Sequence, residues 1–240
     1  MPKASSSLII VLMLCALDGM AQAQTVSERQ RVGVFLIDRT EVTIAQFRRH
    51  AEAQRIVTEA ERAGGGYEYA GGWVQRRGWT VYRPFGEAAE TEAHPAVHVT
   101  WAEAQAYCRA AGGRLPTVSE WMLAAYTETR SNPPVPFVSG KVYAYPTGDD
   151  PAGANMSVPD RWPRSSPVGA TVAGVNGLYD MGGNVWEWVA DSPGDPGGGD
   201  KRTMGGSWWY GAAQMKADAN YSKPAHFYAV YVGFRCAYEG

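Results

Sequence analysis

Two kinds of side chain in this 240-residue sequence could do chemistry: sulfur and imidazole, and a late run of aromatic rings. The cysteines are Cys15, Cys108 and Cys236, and the histidines are His50, His94, His98 and His226. Neither Cys108 nor Cys236 has an adjacent histidine or a Cys-x-x-Cys spacing, so no activated thiol emerges. His94 and His98 are four apart, but Pro95 opposes a shared helix face. On a strand they would point to one side, and packing with hydrogen bonds is the better reading. His50 follows Arg48-Arg49 on a charged segment and is expected in solvent. His226, beside Phe227 and Tyr228, is the one histidine placed for a ligand or base role. No Ser-His-Asp order, phosphate loop or zinc spacing is present. The aromatic run is Trp208-Trp209-Tyr210 after two glycines, then Tyr221, Phe227, Tyr228 and Tyr231. Such rings offer rigid area to a peptide, a sugar or an aromatic small molecule, and they also fill cores. Trp209, Tyr210, His226 and Tyr228 are the candidate substrate-binding residues.

Short helices and strands have to position these groups. Thr43 with Gln46, Thr100 with Glu103 and Thr117 with Glu120 have capping-box spacing, so three helices start there. Val42 and Phe47 match a hydrophobic staple, and Gly112-Gly113 stops the second helix after Cys108. Val32 to Ile37 reads as a strand. Residues 64–90 read as an ordered loop with strand pieces, and the chain after residue 175 alternates short strands with glycine turns. Residues 193–200 read as a surface loop. Helices early and a small twisted sheet later predict a single α+β domain over residues 24–240.

Residues 1–23 have the form of a signal peptide: Lys3, an apolar stretch from Leu8 to Leu17, and Ala21-Gln22-Ala23 as cleavage site. Leu14 stands before Cys15 where a lipoprotein signal carries a small residue, so a cleaved, exported chain is expected, periplasmic or secreted and off the membrane. Cleavage leaves two cysteines. An even number in an oxidising compartment points to a disulfide, with two buried thiols as the other possibility. With 22 basic and 24 acidic side chains, the net charge of -2 gives no footing for a nucleic-acid partner. No heptads appear, and a monomer is expected.

Six blocks in order resemble the sulfatase-modifying-factor family, whose namesake is the formylglycine-generating enzyme. They are Asp38-Arg39-Thr40-Glu41-Val42-Thr43; His94 to Trp101 with Ala106-Tyr107-Cys108; Gly113-Arg114-Leu115-Pro116-Thr117 with Glu120-Trp121; Asn176 to Met181 with Gly183-Asn184-Val185-Trp186-Glu187-Trp188; Gly205-Gly206-Ser207-Trp208; and Gly233-Phe234-Arg235-Cys236. The resemblance covers roughly residues 30–238. It implies a C-type-lectin-like fold with little regular secondary structure, and a Cys108–Cys236 disulfide.

The namesake oxidises a substrate cysteine with oxygen, and its relatives hold copper with two thiolates, ligands that suit copper(I). In the family motif those thiolates lie three and eight positions after the Gly-Gly-Ser serine. Tyr210 and Met215 stand there in this chain, while Ser207 and Trp186 match the pocket. Copper is therefore not expected. Tyr210 and Met215 read first as fillers of the old pocket, and otherwise as a redox phenol and a thioether. The family also binds calcium, a hard cation that takes carboxylates and carbonyls. Asp180, Gly183, Val185 and Glu187 match one such site, and Asn155, with Met156 and Asp160, is a candidate for another. In an extended segment Val185 and Glu187 share a face, and Trp186 and Trp188 take the other.

The function that follows is an exported maturation or accessory protein for a polypeptide or peptide-derived substrate, without formylglycine-generating activity. The alternatives are a non-catalytic lectin-like binding module, a divergent oxidoreductase with other pocket chemistry, and a variable-ligand protein diversified over residues 207–232.

Overall fold

The computed structural model describes residues 27–157, 161–191 and 199–240. The expected signal peptide, Asp160 and most of the 193–200 loop lie outside these residues.

Threonine caps set the helices. Thr43, Thr100 and Thr117 each accept a hydrogen bond from the third helical amide, and the side chain of that third residue accepts one from the backbone N–H of the cap. This reciprocal bonding satisfies donors that a helix start leaves open. It opens α1 (Ile44–Gln54), and a fourth box on Thr58 and Glu61, not anticipated from sequence, opens the single turn α2 (Glu59–Arg62). The later two helices are α3 (Trp101–Ala110) and α4 (Val118–Tyr126). Val42 and Phe47 are buried in one cluster, as the staple reading requires.

The strand expected over 32–37 is instead a hairpin. Gly33 at φ +55° turns the chain between β1 (Arg29–Val32) and β2 (Phe35–Asp38). Residues 65–77 form a second hairpin, β3 (Gly65–Tyr69) with β4 (Trp73–Arg77). Sheet is thus present early as well as late, because glycine turns close short pairings that periodicity does not mark.

The later strands are β5 (Trp186–Trp188), β6 (Asp200–Met204), β7 (Asn220–Pro224), β8 (Val232–Gly233) and β9 (Ala237–Glu239). Four make one sheet in the order β7-β6-β5-β8, with β5 and β8 parallel. β9 instead pairs with β2, placing residue 239 opposite residue 35. The fold class is α+β, as expected.

Two apolar clusters flank β5. Trp186 and Trp188 enter the one that holds Phe47, Cys108, Trp208, Tyr231 and Phe234. Met204, the cross-strand partner of Glu187, enters the other with Trp121, Ile37 and Leu178. Alternation along β5 therefore sends tryptophans one way and a carboxylate the other. Val185, just before the strand, packs with the tryptophans rather than on the Glu187 side. Cys108 and Cys236 are joined in a disulfide, which ties α3 to the segment leading into β9.

Candidate functional site

The Gly205-Gly206 turn delivers the aromatic run. Both residues have positive φ, +97° and +80°, and a Cβ on Gly205 would stand 2.7 Å from the Met181 carbonyl oxygen. Only glycine fits there. Immediately after it, Ser207 is buried and its Oγ accepts from the Trp209 amide at 3.4 Å. Tyr210 then meets Trp186 edge-on, with ring centroids 5.7 Å apart. Tyr221 of β7 approaches Trp186 at 5.2 Å, and Tyr210 lies 6.1 Å from Tyr231. Trp209 lies parallel to Tyr231 at 6.4 Å. Trp186 and Tyr231 are buried, whereas Tyr69, Trp73, Trp209 and Tyr221 are each 43–48% exposed. The result is a ring cluster with two buried members and an exposed aromatic rim, which we read as the floor and rims of a cleft. Burial pushes the Tyr210 phenol above its ordinary pKa, so it stands neutral.

Met215 is not in this cleft. A 3₁₀ turn over Ala212–Met215 carries it into a separate small cluster with Ala154 and Met156, and its carbonyl accepts from the Tyr126 hydroxyl at 2.8 Å. The expectation that Tyr210 and Met215 fill one pocket is corrected: only Tyr210 faces Trp186. The four candidate binding residues also divide. Trp209 and Tyr210 belong to the cleft, whereas His226 and Tyr228 line a neighbouring cavity of ≈ 860 Å³ with Tyr67, Trp73, Phe227 and Glu103. Trp73 joins the two, 4.6 Å from Phe227 and 6.0 Å from Tyr231.

On the opposite face of β5 lies a buried ionic centre. Glu187 accepts from Arg235 Nη2 at 2.6 Å and Nε at 2.8 Å, and from Trp121 Nε1 at 2.8 Å. Arg235 also donates to the Asp38 and Tyr179 carbonyls. Asp180 accepts from Thr171 Oγ1 and the Gly169 amide, and burial holds its carboxyl above the usual range. Every oxygen of the two carboxylates expected at a calcium site thus already accepts a protein hydrogen bond. Gly183, at φ +84°, packs tightly: a Cβ there would lie 2.3 Å from the Asn155 carbonyl oxygen. Glu187 is held in an ion pair with Arg235, and Asp180 by neutral donors. Asn155 fits a cation: its side chain is fully buried, its Nδ2 donates to the Arg164 carbonyl, and its Oδ1 has no hydrogen-bond partner among the described residues.

Three of the four histidines, His50, His94 and His98, pack against their neighbours. His98 has φ +58° instead of strand geometry, is fully buried, and its Nε2 lies 2.9 Å from the Pro84 carbonyl. Burial lowers its pKa to about 4, so it is neutral. His94 bonds Ser165 at 3.2 Å. His50, expected in solvent, lies edge-on to Tyr107 at 5.2 Å because α1 turns that face toward α3.

Sequence reasoning missed Trp73 and Lys223. Trp73 sits on an early hairpin with no motif around it. Lys223 shares a face of β7 with Tyr221 by simple alternation, a signal that was available once Tyr221 had been singled out.

Four likenesses bear on the chain. A family model described as the sulfatase-modifying factor enzyme 1-like domain matches residues 14–239. A formylglycine-generating enzyme of Streptomyces coelicolor is 30% identical over 90% of this chain and 82% of its own length. A mouse protein named inactive C-alpha-formylglycine-generating enzyme 2 is 31% identical over 84% of this chain and 70% of its own. Among solved structures, PvdO from Pseudomonas aeruginosa superposes with a TM-score of 0.63 at 22% identity, covering 86% of this chain and 80% of that one, a likeness of fold.

Proposed function

This chain belongs to the sulfatase-modifying factor enzyme 1-like family, and on that premise we propose that it is an exported maturation or accessory protein. It holds a polypeptide or peptide-derived substrate in the aromatic cleft and does not make formylglycine. The observation that carries this reading is the sulfur inventory. Copper of the family type needs two thiolates, and two of the chain's three cysteines are bonded to each other. One thiol, Cys15, is left, and it belongs to the expected signal peptide. A phenol stands against Trp186 in place of the first thiolate, and the thioether that replaces the second lies in another cluster.

The rest of the site retains what a binding cleft requires: rigid rings, a buried floor and an adjoining cavity. The test is mass spectrometry of a Cys-x-Pro-x-Arg peptide after incubation with the protein, copper and oxygen. The peptide should keep its cysteine, and conversion to the aldehyde would overturn the reading.

Calcium is proposed as a structural ion at Asn155, whose buried, unpartnered amide oxygen is a donor of the kind calcium takes. Its contribution would be local cross-linking of the loop around residue 155 and not chemistry at the cleft.

A further inference from the structure

Beside the floor of the aromatic cleft stands a half-buried cation, Lys223, with no counter-charge among the described residues. Lys223 Nζ lies 5.4 Å from the Trp186 ring centroid, 5.6 Å from Tyr221 and 6.0 Å from Phe227. Ring faces attract an ammonium, but they supply no hydrogen-bond acceptor and no formal charge. The residue directly across the strand pair on β6 is Lys201, a second cation, and like charges in that register repel. Lys201 turns its own Nζ over Trp101, 4.6 Å from the ring. The other titratable groups acting around the cleft floor are the phenols of Tyr69, Tyr210, Tyr221 and Tyr231 and the carboxylate of Glu68, which acts on Tyr231 and is paired with Arg76; burial raises Tyr210 and Tyr231, which stay uncharged. Burial by itself lowers the Lys223 amine to about 8, and no carboxylate among the described residues enters as an opposing cause. An ammonium so placed is stabilised by any anion that enters with its counter-charge and acceptor oxygens.

We infer that Lys223 anchors a carboxylate of the ligand held in the aromatic cleft, so that the cleft selects molecules with an aromatic or apolar body and an acid group. The inference rests on the cleft being the binding site, and it narrows the class of substrate. The body lies among Trp209, Trp73 and Tyr231, while the carboxylate reaches the ammonium beside Trp186. Affinity then depends on pH in a fixed direction: Lys223 is charged below about 8, and binding of the anion fades as pH rises through that value.

Two probes of one shape test this, N-acetyl-L-tyrosine and N-acetyl-L-tyrosinamide, titrated calorimetrically into the mature protein at pH 7. The acid should bind about tenfold or more tighter than the amide, the size of one charge-assisted hydrogen bond. Lys223→Met should erase that ratio, Lys223→Arg should keep it, and raising the pH to 10 should shrink it in the parent protein. Melting curves establish that both variants fold, and the pH series needs no variant. Equal affinities for acid and amide would overturn the anchor while leaving the cleft as a binding site. A preference for the acid that survives in Lys223→Met would overturn it too. Failure of both probes to bind would overturn the cleft reading and the anchor together.

Discussion

The two faces of β5 carry charge in opposite ways. Behind the strand, Glu187 and Arg235 are buried and each bond of the pair is made by the protein itself. In front of it, half-buried Lys223 sits among rings with no counter-charge among the described residues. The pair behind is architecture: it fixes the segment leading into β9 against the strand that presents Trp186. The cation in front is the one we propose meets the acid group of a ligand. A paired buried charge and an unpaired one look alike in composition, and only the partner tells a structural group from a recognition group.

The largest effect expected is from breaking the pair. Arg235→Met should cost about 3–5 kcal/mol, because it strands a buried carboxylate; urea unfolding at pH 7 measures it. A loss under 1 kcal/mol would mean that this core is not held by charge. Cys108→Ala with Cys236→Ala should cost about 2–4 kcal/mol, the usual range for freeing a long loop. A free-thiol assay on the unfolded parent should find no reactive sulfur from these two residues. For calcium, EDTA should lower Tm and added calcium restore it, by about 1–3 kcal/mol when the ion is at ten to a hundred times its Kd; an unmoved Tm removes the Asn155 proposal.

The smallest effect is on the front face and has the opposite sign. The folded pKa of Lys223, about 8, lies below its ordinary 10.5. The folded state therefore resists the proton that the unfolded chain keeps. That penalty is complete below pH 8 and disappears as pH rises to about 10.5. Lys223→Met should accordingly melt slightly above the parent at pH 7, and the gap should close on the alkaline side. A gap that stays constant with pH would assign the effect to packing and not to charge.

Much of this was legible from local chemistry alone. The capping boxes on Thr43, Thr100 and Thr117 work within four residues, and all three helices stand where the spacing puts them. So does the tryptophan–carboxylate alternation of β5. The disulfide needed only a count of cysteines and the resemblance to known sequences. What was not legible depends on long-range geometry. The ring system is assembled from β4, β5, β7 and the segments around 209 and 231, so Trp73 and Lys223 acquire meaning only once those strands meet. Glu187 read as a metal ligand because its partner, Arg235, lies 48 residues away in sequence. Tyr210 and Met215 are close in sequence, and one tight turn separates their destinations.

The pairing of β2 with β9 sets an order of events. Phe35 has no strand partner on that edge until Glu239 is available, and the backbone of Asp38 bonds that of Cys236. Contacts spanning some two hundred residues close slowly, since the loop between them must be ordered first. The opening hairpin must therefore wait, edge exposed, for the far end of the chain. Keeping the two ends of such a polypeptide apart should hold back the closure of this sheet.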